Sequence, residues 1–100
     1  MDIKITTQEG KTFATLNGRL DTTNANQFQE DISPLMALEN PDIEFDCEGM
    51  EYTSSQGLRL FLMLQKTVSQ KNGNMVMKNM RPEVKEVFDI TGFSNLIKIL

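Results

Sequence analysis

Few residues of this chain can do chemistry. Two adjacent hydroxyls, Ser54 and Ser55, lie in the run Glu51-Tyr52-Thr53-Ser54-Ser55-Gln56-Gly57-Leu58-Arg59, just past the middle of 100 residues. There is no histidine, so a Ser-His-Asp or Cys-His nucleophile has no imidazole to take its proton. A nucleophile elbow centred on Ser55 needs glycine two residues earlier, where Thr53 stands. Zinc would have only the single cysteine, Cys47, and carboxylates, a poor ligand set for that ion. No Gly-x-x-x-x-Gly-Lys-Ser/Thr run offers a phosphate cradle. The expectation is a non-catalytic protein with no metal and no cofactor.

Two readings of the serines stay open on the residues alone. A serine oxygen ahead of a helix accepts from a backbone N–H two or three residues on, a contribution of about 1 kcal/mol. That is the plain structural reading. The functional one starts from two hydroxyls where one cap suffices, with Gly57 two residues past Ser55, where a missing Cβ allows close backbone approach. A phosphate on Ser55 would sit at a helix N-terminus, which tolerates anions. It would add about −1.5 to −2 charges without unfolding the chain. A docked partner would then be repelled or would have to desolvate that charge.

The neighbouring elements must place these hydroxyls. Ile43-Glu44-Phe45-Asp46-Cys47 reads as a short buried strand and Glu48 to Tyr52 as a loop. From Leu58 to Val68 the pattern is helical: Gly57, Leu60, Phe61, Leu64 and Val68 share one face, with Arg59, Lys66 and Gln70 opposite. Leu58, Leu62 and Met63 fall on the flanks, either packed against a neighbouring helix or offered to a partner. Upstream, Asp2 to Thr7 and Thr12 to Asn17 alternate as two strands around the turn Gln8-Glu9-Gly10-Lys11. Gly18-Arg19-Leu20-Asp21 ends the second strand, and Asp21 either caps the next helix or lies near Ser55.

A first helix runs from Ala25 toward Leu38. Pro34 either kinks it or starts a second segment. Downstream come a third buried run, Met75-Val76-Met77, and a helix opened by Pro82. The tail, Ser94 to Leu100, reads as a helical turn or an edge strand. The order predicts one α/β domain over residues 1–100, a mixed four- to five-stranded sheet with helices mainly on one face.

Net charge is −4 and the pI is near 4.7, which argues against nucleic-acid or anionic-membrane partners. No stretch approaches the roughly 18 apolar residues of a membrane span. The start, Met1-Asp2-Ile3-Lys4, lacks a secretory pattern, so the chain reads as soluble and cytoplasmic.

Four stretches in order carry a family resemblance. Tyr52-Thr53-Ser54-Ser55-Gln56-Gly57-Leu58-Arg59 resembles the signature of STAS-domain anti-sigma-factor antagonists. Gly18-Arg19-Leu20-Asp21 is similar to that family's turn after its second strand, and Ile43-Glu44-Phe45-Asp46 to its strand before the loop. Val84 to Phe93 resembles its C-terminal helix and turn. By this resemblance Ser55 is the phosphorylated serine. The implied partner is an anti-sigma factor that is also a serine kinase, bound by the unphosphorylated form, and a phosphatase resets the switch. The family often has Asp where Ser54 stands and Ser or Ala where Gln56 stands. The expected partner-binding residues are Asp21, Thr53, Ser54, Ser55, Gln56, Gly57, Leu58, Arg59, Leu62 and Met63. The second reading is a STAS-like accessory subunit of a transporter ATPase or a stress-signalling assembly, with the serine unmodified.

Overall fold

Alternation of Ile3 and Ile5 with Asp2, Lys4 and Thr6 builds strand β1 (Asp2–Gln8) in the computed structural model, which describes residues 1–100. Glu9 and Gly10 take φ of 52° and 81°, the left-handed turn whose twist suits a two-residue hairpin. The chain returns antiparallel as β2 (Lys11–Leu20), with Gln8 opposite Lys11 and Ile3 opposite Leu16. This strand outruns the expected end at Asn17. Gly18, at φ 103°, stands at a shift of register and carries the backbone on to Leu20.

Helix α1 (Ala25–Asp31) stops at Ile32, and Pro34 lies in the first turn of a separate short helix, α2 (Ser33–Met36). A proline lacks the N–H that a continuous helix would need there. The carbonyls of Met36 and Leu38 are held by Lys71 Nζ, each at 2.7 Å.

Strand β3 (Asp42–Thr53) is twelve residues long, and this corrects the expected loop. Glu48 to Tyr52 are strand because β2 pairs with them, Asn17 with Gly49, Gly18 with Met50 and Arg19 with Tyr52. Gly49 permits the approach: a Cβ there would lie 2.0 Å from Asn17 Oδ1 and 2.7 Å from the Leu16 carbonyl oxygen.

The chain continues as α3 (Ser55–Gln70), β4 (Asn74–Lys78), α4 (Pro82–Ile90), a 3-10 turn (Phe93–Asn95) and β5 (Lys98–Ile99). Asn72 at φ 56° closes α3, with Gly73 N–H donating to the Val68 carbonyl at 2.9 Å. The tail is therefore both a helical turn and an edge strand.

The sheet order is β1-β2-β3-β4-β5, and every pair after the hairpin is parallel. Phe61 of α3 sits at the centre of the core, with ring centroids 5.4 Å from Phe28 of α1, 5.7 Å from Phe45 of β3 and 6.2 Å from Phe88 of α4. These contacts gather the helices on one face of a mixed sheet, as the pattern predicts. The other face carries an ion-pair cluster beside Phe13 and Val76: Glu44 lies 3.3 Å from Lys11 and 3.0 Å from Lys78, across three adjacent strands. No helix is long and apolar enough to cross a membrane.

Candidate functional site at the start of helix α3

The middle strand ends at Thr53, and the helix begins two residues later. Ser54 bridges them with extended backbone, φ −82° and ψ 171°, the conformation of a helix cap. Its N–H donates to the Leu20 carbonyl at 2.8 Å, which ties the helix start to the end of β2. Its Oγ accepts from Gly57 N–H at 3.2 Å, and its carbonyl accepts from Leu58 N–H at 3.0 Å. Thr53 Oγ1 donates to the same carbonyl at 3.2 Å. Ser54 is thus the cap, and one hydroxyl is enough for it.

Ser55 is left over. It is the first residue of α3, exposed to solvent, and its hydroxyl takes no part in the hydrogen bonding of the chain. The unpaired N–H groups of a first helical turn and the helix dipole put a positive potential around it.

Burial sorts the expected contact residues. Ser55, Gln56 and Arg59 are exposed; Asp21, Ser54, Leu62 and Met63 are half-buried. Thr53 and Leu58 are 3% and 1% exposed, and Gly57 is buried beside them. The expectation that Leu58 offers apolar surface is therefore corrected. Its side chain points into the core because α3 is covered by sheet below and by helices on both flanks, a wider arc than one stripe. Gly57 holds the helix close to the sheet: a Cβ would meet Thr53 Oγ1 at 2.5 Å and Leu20 Cδ2 at 2.6 Å. Thr53, Gly57 and Leu58 position the site from beneath.

Along α3 the outward residues Ser55, Arg59, Leu62, Met63 and Lys66 recur at helical spacing and form one surface. The helix carries Arg59 and Lys66 and no acidic residue, on a chain of net charge −4. Shallow grooves run beside it, one bounded by Arg59, Leu62, Met63 and Lys66, the other by Leu62, Gln65 and Leu96.

Asp21 follows Leu20, the register partner of Thr53, and so stands at the neighbouring strand end. It does not cap α1, whose cap position is Asn24. Its carboxylate instead accepts from Thr23 Oγ1 at 2.5 Å and Thr23 N–H at 2.9 Å, and these bonds hold its pKa below the ordinary value. Sequence reasoning missed Arg19, whose guanidinium lies 4.4 Å from the ring centroid of Tyr52 at the same end of the sheet. Only the strand register, Arg19 opposite Tyr52, reveals that pair.

Cys47 is fully buried in β3, and burial pushes its thiol up to about 12. It is no nucleophile. No group of three or more cysteine, aspartate or glutamate side chains is placed to hold a metal ion.

The STAS domain family pattern matches residues 2–100. BtrV of Bordetella bronchiseptica, provisionally named as an anti-sigma factor antagonist, is 30% identical over 91% of this chain and 78% of its own. The anti-sigma-B factor antagonist of Staphylococcus aureus is 25% identical over 99% of this chain and 92% of its own. The fold is that of an anti-sigma-factor antagonist (STAS) domain protein from Planctomyces limnophilus, with TM-score 0.88 and 20% identity over 99% and 89% of the two chains. It is also that of the Bacillus cell fate determinant SpoIIAA, solved in a phosphorylated form, with TM-score 0.72 and 19% identity over 99% and 91%.

Proposed function

The chain belongs to the STAS-domain family, and on that footing we propose that it is an anti-sigma-factor antagonist switched by phosphorylation of Ser55. The unphosphorylated protein binds an anti-sigma factor that is also a serine kinase, and the sigma factor is released. The kinase transfers phosphate to Ser55 and ends the complex. A phosphatase restores the acceptor. The chain itself is substrate and binding module, with no catalytic step of its own, and works in the cytoplasm.

One observation carries this reading: Ser55 is exposed with a free hydroxyl while Ser54 performs the capping. The modified hydroxyl is thereby separated from the one the fold needs. A phosphate at the first helical residue faces unpaired N–H groups and, one turn on, Arg59, so the fold accommodates it. The surface does not stay the same. Arg59 and Lys66 make the outer face of α3 cationic and suited to an acidic partner surface. About two negative charges on Ser55 cancel that complementarity.

Calorimetric titration with the cognate anti-sigma factor tests the switch. Ser55→Asp should weaken binding at least about tenfold, equivalent to about 1.4 kcal/mol. Ser55→Ala should bind like the parent and resist phosphorylation. Equal affinities for the two variants refute the switch. Phosphate found by mass spectrometry on Ser54 alone, after incubation with kinase and ATP, refutes the site.

A further inference from the structure

Strand β1 is one rim of the sheet, and only β2 pairs with it. The two-residue turn Glu9-Gly10 makes Gln8 and Lys11 a hydrogen-bonded pair, and this sets the phase of the hairpin. Asp2, Lys4 and Thr6 then turn their N–H and C=O groups toward β2. Ile3, Ile5 and Thr7 aim theirs at the free rim. Of the usual defences of a rim only charge is present: β1 has seven residues, no proline and no break of register. Its charges are Asp2 and Lys4, two residues apart, both exposed and both on the helix-free face.

We propose that β1 pairs antiparallel with β1 of a second copy of this chain, Ile3 opposite Ile3, so that two sheets join edge to edge. Three independent features agree on this register. Ile3 lies in the phase that exchanges hydrogen bonds across the rim. Met1, Ile3 and Ile5, all half-buried on the helical face, meet Ile5, Ile3 and Met1 of the second copy and extend the apolar layer. Asp2 stands opposite Lys4 of the second copy, and Lys4 opposite its Asp2. These fall on the non-hydrogen-bonded pairs, where strands bring side chains closest.

The alternatives lose on the same rules. A shift of two residues sets Lys4 against Lys4, a like-charge pair. A further shift of two sets Lys4 against Thr6 and Asp2 against Gln8, with no ion pair. A shift of one residue breaks the hydrogen-bond phase and sends the isoleucines to the helix-free face. The lysine that guards this rim against a foreign strand is thus answered by the aspartate of an identical one. Ser55 follows β3, the third of the five strands, and so stands two strands away from this rim.

Sedimentation velocity over a concentration series, with amide exchange read in parallel, tests the pairing. The parent chain should pass from monomer to dimer as concentration rises, with the Ile3 and Ile5 amides gaining protection. Asp2→Lys alone and Lys4→Asp alone should each weaken the dimer about tenfold or more. The double variant should restore it, and an equal mixture of the two single variants should form a heterodimer. Both residues are exposed, so the variants fold, and circular dichroism confirms it. A parent chain that stays monomeric with unchanged Ile3 and Ile5 exchange overturns the proposal. So does a dimer that neither charge reversal disturbs.

Discussion

Gly57→Ala tests how tightly the helix start is held against the sheet. In an open helix this change is favourable by roughly 0.5–1 kcal/mol, because glycine loses more backbone freedom than alanine. Here the added Cβ would lie 2.5 Å from Thr53 Oγ1, 2.6 Å from Leu20 Cδ2 and 2.8 Å from Leu20 Cγ. Neither neighbour can give way easily, since Thr53 is 3% and Leu20 0% exposed. Relief therefore comes from moving the first turn of α3 away from the sheet. Overpacking of this kind costs about 1–3 kcal/mol. The displacement also strains the Ser54 cap, which contributes about 1 kcal/mol and ends on the Gly57 N–H itself. The net expectation is destabilisation of about 1–2 kcal/mol, with Tm lower by roughly 4–8 °C per kcal/mol for a domain of this size. Urea unfolding followed by far-ultraviolet circular dichroism reads the first quantity and a thermal scan the second. Binding to the proposed anti-sigma-factor partner should fall as well, because Ser55 moves with the turn. An unchanged or raised Tm would refute the close-packing account and show that the propensity gain dominates.

The two serines should separate cleanly by stability. Ser54→Ala should lower unfolding free energy by about 1 kcal/mol in urea, and Ser55→Ala should change it by less than about 0.5 kcal/mol. For pH dependence, hydrogen bonds from Lys78 first and Lys11 second hold the Glu44 carboxyl below its ordinary value of 4.5. A carboxylate with a depressed folded pKa contributes stability above its unfolded value and loses it as pH falls through the folded value. Lys78→Met should therefore raise the Glu44 midpoint toward 4.5 in an NMR titration and shrink the loss of stability on the acid side.

Much of this protein was legible in the sequence because its signals are local. The period-2 runs around Ile3, Ile5 and Ala14, the turn residues Glu9 and Gly10, and the helical spacing from Gly57 to Val68 depend on near neighbours alone. Ser54 and Ser55 could be placed between a strand and a helix for the same reason. The missing histidine bounded the chemistry before any fold was known.

Tertiary structure decided the rest, wherever a distant segment supplies the force. Glu48 to Tyr52 become strand because β2 lies beside them and Gly49 lets it approach. Leu58 goes inward because α3 is covered on three sides, and Arg19 meets Tyr52 only through register. Asp21 binds Thr23 instead of capping α1. Above all, two identical side chains received different tasks. Ser54 is fixed by the Leu20 carbonyl of another strand and by Gly57 N–H, so its oxygen is committed to the cap. Ser55, one residue on, has turned outward into solvent. Composition and spacing could show that one hydroxyl was surplus, and the family resemblance pointed to Ser55; the packing of β2 against the helix start gives the physical reason that Ser54 is the one committed to the cap.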